Sequence, residues 1–208
     1  MRNLLCLLPL LVLAAATPAA ADCYADLTAV IVKHVRAGPF RVETTVNFDS
    51  GPRTTSVEVV VPDRFSFHGI AFFGPGGGLA LDGPIIIGRQ GWVKQAAGWV
   101  RLPAEVKPGE RNALYTDLAE RHDTAEGRAC RGRVERDGAA FDAYTFTSTH
   151  WIGGWRAVWE TVLYVDPETG LPVLEEVTAG IADLPDQPRQ HATLTYSYDP
   201  SIRIEPPL

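Results

Sequence analysis

The sequence has few of the residues from which recognisable catalytic and metal sites are built. It contains five histidines and three cysteines in 208 residues, and the histidines lack the His-Glu-x-x-His spacing that holds zinc. No serine lies in a Gly-x-Ser-x-Gly elbow, the usual setting of a hydrolase nucleophile. The sequence therefore predicts no catalytic residue, no metal and no cofactor. A hydrolase acting on a lipid-like substrate stays open as a minor alternative.

Positive charge is also scarce. Lysine and arginine number 19 against 25 aspartate and glutamate residues, which gives a formal net charge of −6. This acidic balance argues against nucleic acid as a partner and against polybasic binding to an anionic membrane. The densest basic cluster alternates with acidic residues and is interpreted as a solvated strand face, with a binding patch as the alternative. Its arginines are Arg128, Arg131, Arg133 and Arg136.

Long apolar runs are absent except near the N terminus. Residues 4–16 form an apolar stretch that follows Arg2 and precedes an Ala-x-Ala site at Ala19 and Ala21. The stretch is too short to cross a bilayer comfortably, and the arrangement is typical of a cleaved export signal. We therefore predict a signal peptide over residues 1–21. The mature domain, residues 22–208, is expected to lie outside the cytoplasm without stable membrane insertion.

Removal of the signal would leave two cysteines, Cys23 and Cys130. In an oxidising compartment such a pair predicts a disulfide, here one that ties the start of the mature chain to its middle. Lipidation of Cys23 is disfavoured, because it needs a small uncharged residue directly before the cysteine and the residue there is Asp22. A redox or nucleophilic cysteine is the other alternative, but neither a Cys-x-x-Cys motif nor a neighbouring histidine supports it.

The spacing of hydrophobic residues changes near Gly38, about fifteen residues after Cys23. Apolar residues recur at helical spacing over residues 24–37, which predicts one amphipathic helix that ends before Gly38 and Pro39. From residue 40 the period becomes two, which is typical of a half-buried strand over residues 40–48.

Turn residues divide the rest of the chain into many short apolar segments. Ten strands after the first are predicted, over residues 53–61, 64–72, 84–89, 91–95, 99–102, 128–136, 140–150, 155–165, 171–180 and 190–199. One further helix is predicted near residues 109–121. The fold class is therefore mainly β, a single domain. A strongly curved antiparallel sheet of about eleven strands forms an incomplete barrel, and the N-terminal helix and the middle helix fill its concave face.

Three segments carry a likeness to a known family. Residues 85–103 contain a short hairpin with a tryptophan and end in Trp-x-x-x-Pro, residues 162–173 contain a Gly-Leu-Pro strand start, and residues 193–206 form the last strand and its tail. Together with the strand order, they resemble the LolA-like carriers of bacterial lipoproteins. The resemblance implies an incomplete barrel whose concave apolar face takes the acyl chains of lipids or lipoproteins, and it implies a periplasmic location.

A glycine-rich loop from Gly74 to Gly78 departs from the pattern of that family. It is followed neither by Lys-Ser/Thr nor by a helical pattern, so a flexible rim is favoured over a phosphate cradle. Phe72 and Phe73 precede the loop directly, and they predict an apolar lip that could gate a cavity.

Two other groups of residues leave alternatives open. Trp151, Trp155 and Trp159 are assigned to strands, where 155 and 159 share a face, and they either fill a core or line a ligand cavity. Trp92 and Trp99 have the same two interpretations, core packing or lining of a ligand cavity. His122 and Asp123, near Glu120 and Glu126, could form an acid/base group, but a charged helix end explains them more simply.

The leading hypothesis is a periplasmic, non-catalytic carrier or binding protein for a hydrophobic ligand, with a lipid or an acylated protein as partner. The alternative is an interaction module with a collapsed interior that binds an envelope protein through strand edges or the glycine loop. The candidate ligand-binding residues are Val42, Thr44, Val46, Phe65, Phe67, Ile85, Ile87, Trp92, Tyr144 and Phe146.

Overall fold

The computed structural model describes residues 23–71, 81–103, 105–106, 118–152 and 155–207 of the chain. The predicted signal peptide and the glycine-rich loop, with the two phenylalanines before it, lie outside these residues. The described part contains two α-helices and thirteen strands.

The first helix, α1 (Cys23–Arg36), confirms the helix predicted over residues 24–37. Leu27, Val30 and Ile31 are buried on one of its faces, as expected for an amphipathic helix that packs on a sheet. Gly38 has a φ of +100°, which lets the chain turn sharply from the helix into the first strand.

The second helix, α2 (Leu118–Asp123), ends two residues after the middle helix predicted over residues 109–121. Residues 109–117 lie outside the described part of the chain. The strands are, in chain order, β1 (Phe40–Phe48), β2 (Gly51–Val60), β3 (Arg64–His68), β4 (Ile70–Ala71), β5 (Leu81–Asp82), β6 (Ile85–Ile87), β7 (Gln90–Gln95), β8 (Gly98–Arg101), β9 (Glu126–Arg136), β10 (Ala139–Ile152), β11 (Trp155–Val165), β12 (Pro172–Ile181) and β13 (Gln190–Tyr198).

Eleven of these strands form one antiparallel sheet in the order β8-β7-β6-β3-β2-β1-β13-β12-β11-β10-β9. The first and last described strands, β1 and β13, pair at its centre, whereas β8 and β9 are its two edges. Within the described residues the sheet is therefore not closed. The predicted fold class, a mainly β incomplete barrel with helices on one face, is confirmed.

One predicted strand is divided in the structure. A continuous strand was expected over residues 64–72, but the main-sheet strand ends at His68, and β4 pairs instead with β5 in a separate ribbon. Gly69 has a φ of +98°, so the extended backbone is interrupted there. Apolar residues follow this glycine directly, which is why the pattern alone did not reveal the break.

Candidate functional site: the inner face of the sheet

One face of the sheet packs against the helices and is called the inner face below. Phe40 and Val42 of β1 share the core with Leu27 and Ile31 of α1, so their side of β1 is the inner side. Residues opposite each other in an antiparallel ladder point to the same face, and the register extends this face across the sheet. Its buried apolar members include Phe40, Val42, Val57, Val59, Phe65, Phe67, Ile86, Phe146, Leu163, Val165 and Tyr196.

The last turn of α1 is anchored to the inner face through His34. This side chain is fully buried, and its ring centroid lies 4.5 Å from that of Phe40 and 5.6 Å from that of Tyr196. Its Nδ1 atom is 2.8 Å from the Tyr198 hydroxyl oxygen. Burial raises the pKa of Tyr198 above its usual value, so that phenol stays protonated as a hydrogen-bond partner for the imidazole.

The first turn of α1 is anchored covalently. Cys23 and Cys130 form a disulfide with a Cα–Cα distance of 5.4 Å, which lies in the usual range for such bonds. The predicted pairing is therefore confirmed, and it joins α1 to the edge strand β9. A cysteine in this bond is neither lipidated nor free to act as a nucleophile.

The inner face is more accessible at the far end of β1. Thr44 and Val46 point to the inner side and are half-buried, and the ladder places Leu194 and Ala192 of β13 opposite them, also half-buried. We call these four residues the inner patch. It offers a mainly apolar surface continuous with the buried core.

A buried ion pair crosses from the second helix to the inner face. The Arg121 guanidinium donates to both carboxylate oxygens of Glu175, with an Nη2–Oε2 distance of 2.7 Å, and the two side chains are 1% and 0% exposed. The Tyr196 hydroxyl donates to the same carboxylate at 2.6 Å. The Arg121 guanidinium also lies 5.7 Å from the ring centroid of Trp159. These contacts hold α2 against β12 and β13.

A second polar group lies beside this pair on β10 and β11. The His150 Nε2 atom is 2.9 Å from the Ser148 hydroxyl oxygen, and the imidazole packs on Trp159 with centroids 5.0 Å apart. Burial, aided by the nearby Arg121 charge, lowers the pKa of His150 to about 4. An imidazole with that pKa is a weak general base at neutral pH, and the Ser148 hydroxyl beside it is buried.

His122, which could have belonged to an acid/base group, is instead buried between the helices. Its Nε2 atom is 3.2 Å from the Thr28 hydroxyl oxygen of α1, and its ring packs against Tyr24. Among the described residues, no group of three or more histidine, cysteine, aspartate or glutamate side chains has a geometry suited to a metal ion. Neither described helix is long and apolar enough to cross a membrane.

The register divides the ten predicted ligand-binding residues between the two faces. Seven point to the inner face: Val42, Thr44, Val46, Phe65, Phe67, Tyr144 and Phe146. Ile85, Ile87 and Trp92 point away from it, because Ile86 is the inner residue of β6 and Trp92 pairs with Ile85. In a three-residue strand of identical side chains, alternation cannot tell which residue faces the core.

Sequence reasoning missed the buried ion pair between Arg121 of α2 and Glu175 of the inner face. Glu175 interrupts the apolar residues of β12 by pointing inward between Leu163 of β11 and Leu194 of β13. Its strand reads Leu-Glu-Glu-Val, in which either glutamate could have been the solvated one. Only the register shows that Glu176 points to the opposite face, where it accepts a hydrogen bond from Tyr164 at 2.8 Å.

Two of the cavities formed by the described residues are open to solvent. The larger, about 560 Å³, is lined mainly by side chains that point away from the helices, such as Thr145, Glu160 and His191. The smaller, about 350 Å³, lies between Arg64 and the C-terminal segment around Ile204. Both are open clefts with charged margins rather than enclosed apolar chambers.

Comparison with solved structures supports the fold at low sequence identity. The chain is similar to LprF from Mycobacterium bovis, with a TM-score of 0.53 and 14% identity over 89% of this chain and 97% of that one. Lipoprotein LppX from Mycobacterium tuberculosis gives a TM-score of 0.49, also at 14% identity, over 86% and 98% of the two chains. A LolA superfamily protein from Nitrosomonas europaea gives 0.33 at 8% identity over 82% and 91%.

No protein-family model matches the sequence, and no curated protein matches it significantly. The comparisons therefore provide evidence on the fold alone. The architecture that the sequence resemblance implied, an open antiparallel half-barrel with helices on its inner face, is confirmed and is shared with LprF.

Proposed function

We propose that this chain is a non-catalytic carrier or binding protein that holds a hydrophobic ligand, a lipid or the acyl chains of a lipoprotein, against the inner face of its sheet. The observation that carries this is the width of the apolar face. Buried apolar residues occur from Ile86 in β6 to Phe146 in β10, and these eight strands span roughly 34 Å at about 4.8 Å per step. The helix α1 runs across the strands, from its disulfide to β9 to the contacts of His34 with β1 and β13. Its 14 residues are about 21 Å long, so it covers only part of this width.

Two further observations support the ligand class and the setting. The sequence resembles LolA-like carriers in three segments, and the chain shares its half-barrel fold with LprF. The predicted export signal supports a periplasmic location, where lipids or acylated proteins would be the cargo. The ligand class and the periplasmic location are part of the proposed carrier function and are tested by the same experiments.

The inner patch is the proposed point of entry for the ligand. Its residues are half-buried, whereas Phe40, Val42 and Val59 nearer to α1 are almost fully buried. A short apolar group can therefore contact the patch directly, and a longer chain reaches the core only if the covering segments separate from the sheet. Burial of each CH₂ contributes about 0.8 kcal/mol, so a ten-carbon chain supplies roughly 8 kcal/mol towards that opening.

The first experiment is lipid analysis of the full chain exported to the periplasm and purified without detergent. Extraction with organic solvent followed by mass spectrometry should give about one lipid or fatty acid per protein, and the stripped protein should take up a fluorescent fatty acid. Absence of both would contradict the carrier function. That outcome would favour the alternative interaction module, for which the dense packing of the inner face around α1 is the supporting observation.

A matched pair of variants tests the location of the ligand. Val46→Glu places a charge in the inner patch and should weaken fatty-acid binding by at least about tenfold, because an unpaired carboxylate disfavours an apolar neighbour. Asn47→Glu places the same charge one residue further on, on the opposite face and exposed, and should leave binding unchanged. Equal effects of the two variants would contradict the inner-face site. Thermal unfolding of both variants checks that they remain folded.

A further inference from the structure

The free end of the β10–β11 hairpin exposes two tryptophans. Trp151 is 71% exposed and Trp155 is 37% exposed. The ladder pairs Trp151 with Arg156 and Ile152 with Trp155, so the two indoles lie at the same end of the hairpin but on its opposite faces. The other exposed large hydrophobic side chains of the described residues lie outside this hairpin, on α1 and β8. They are Tyr24, Val32 and Val100.

Internal packing accounts for only the third member of the tryptophan series. Trp159 shares the inner face with Trp155, is half-buried, and contacts His150 and Arg121. In the part of the chain that the structure describes, neither Trp151 nor Trp155 makes a ring contact, and neither indole N–H makes a hydrogen bond. The exposure of these two indoles is therefore better explained by contact with a surface outside the protein than by packing within it.

We infer that this hairpin end is a docking tip that inserts Trp151 and Trp155 into the interfacial region of a lipid bilayer. Indole combines a large apolar body with a polar N–H, and this combination favours the boundary between lipid headgroups and acyl chains. With one indole on each face of the hairpin, both sides of the tip meet lipid when it enters the interface. A flat protein partner would contact one side only.

The contact area also favours a bilayer over a protein. Two fully exposed tryptophans would bury about 300–500 Å², at about 150–250 Å² each, and these two bury less because they are only 71% and 37% exposed. A stable protein interface needs about 800 Å² on each partner, and the neighbouring residues at this end are charged. A bilayer needs no matching surface, because apolar side chains partition into it individually.

The charges behind the tip determine the type of lipid surface. Arg156 lies 4.0 Å from Asp183, and Arg189 pairs with Glu160 at 2.8 Å, while Asp186 adds a further negative charge in the adjacent turn. The hairpin end therefore carries no net positive charge. Docking is expected on zwitterionic lipid by apolar partitioning, with little dependence on salt.

The test is co-flotation of the purified full chain with phosphatidylcholine vesicles at low and high salt. The wild-type protein should float with the vesicles under both conditions, and Trp151→Ser combined with Trp155→Ser should reduce the partition coefficient by about tenfold or more. Val100→Ser removes a comparably exposed apolar side chain on a distant edge strand and should leave flotation unchanged. Vesicles of brominated phosphatidylcholine should quench the wild-type tryptophan fluorescence and spare the double variant.

Three results would overturn this inference: no flotation of the wild-type protein, equal flotation of the double variant, or flotation only on anionic vesicles that salt abolishes. Because both side chains are exposed, the double variant should keep the wild-type unfolding temperature, which is measured in parallel. Docking does not depend on the inner-face ligand. The double variant should still take up the fluorescent fatty acid, so failure of docking and failure of the carrier function are distinguishable.

Discussion

At the scale of single residues, the most consequential feature is the ion pair that lies where an apolar contact would be expected. Arg121 and Glu175 are both buried, and the Tyr196 hydroxyl completes the hydrogen bonding of the carboxylate. A buried pair of this kind adds little stability compared with apolar replacements, but loss of one partner leaves an uncompensated charge. Its value here is specificity: it fixes which part of the sheet α2 contacts.

The first prediction concerns this pair. Glu175→Gln should lower the free energy of unfolding by about 3–5 kcal/mol, because it leaves the Arg121 charge buried and unpaired. Arg121→Met combined with Glu175→Leu should cost much less. Arg41→Met, which breaks an exposed pair with Glu58, should change stability by no more than about 1 kcal/mol. Urea unfolding followed by tryptophan fluorescence measures all three, and equal costs for the single and double variants at the buried pair would contradict the prediction.

The second prediction follows from the depressed pKa of His150. The folded state lowers this pKa from 6.5 to about 4, so between these values the unfolded chain binds a proton that the folded chain does not. Stability that is present above pH 6.5 should therefore decline as the pH falls towards 4. We expect the unfolding midpoint of the wild type to fall more between pH 7 and pH 4.5 than that of His150→Gln. If the unfolding midpoints of the wild type and of His150→Gln fall equally with pH, the imidazole does not titrate differently in the folded and unfolded states.

At the scale of elements, α1 is held at both ends by contacts distant in sequence. Its first turn is bonded to β9 through the disulfide, and its last turn is packed on β1 and β13 through His34. A 14-residue helix is marginal in isolation, so these attachments and the buried apolar face keep it on the sheet.

The third prediction concerns the disulfide. It closes a loop of 107 residues, and replacement of both cysteines by serine should lower the free energy of unfolding by about 3–5 kcal/mol in the chain-entropy model. Reductant should destabilise the wild type by a similar amount and leave the Cys23→Ser, Cys130→Ser variant unaffected. If reductant shifts the variant as much as the wild type, the effect does not come from this bond.

The fourth prediction tests the assignment of faces in β6. Ile86→Ala should cost about 2–5 kcal/mol, because Ile86 is almost fully buried on the inner face. Ile85→Ala removes an identical but half-buried side chain on the opposite face, and its cost should be about half as large or less. Guanidinium unfolding of the two variants measures the difference. A larger cost at Ile85 would reverse the inner and outer faces of this strand.

At the scale of the whole molecule, the sheet is open, with short β8 at one edge and long β9 at the other. Bare edges can pair with other chains, and here β9 carries several exposed charges and is bonded to α1. The centre, where β1 lies between β2 and β13, is stabilised by pairing on both sides. Stability is therefore expected to be uneven across the sheet.

The fifth prediction is the resulting pattern of hydrogen exchange. Amide protons of β1 and β13 should exchange slowest, and those of β8 should exchange much faster through local opening. In the variant without the disulfide, exchange in β9 should accelerate while exchange in β8 stays unchanged. Mass spectrometry of exchanged peptides measures both. Uniform exchange rates across the sheet would show that it opens only as one unit.

Much of the fold could be predicted from local patterns. The helical spacing of α1, the period-two patterns and the turn signals predicted α1 and the strands of the main sheet to within a few residues. Such preferences depend mainly on residues that are near one another in sequence. The break at Gly69 and the inward face of β6 could not be predicted. The first depends on a backbone angle, and the second on which of three isoleucines meets Phe65 across the ladder.

The sequence by itself determined the fold class, the pairing of Cys23 with Cys130 and the apolar residues at alternating strand positions. Tertiary structure alone decided which glutamate of β12 is buried, that Arg121 compensates it, and that Trp151 and Trp155 end the hairpin in solvent while Trp159 is packed. The physical reason is the distance along the chain between the residues that determine each property. Periodicity is a property of neighbours along the chain, whereas register, burial and charge pairing depend on strands that are far apart in sequence and adjacent only after folding.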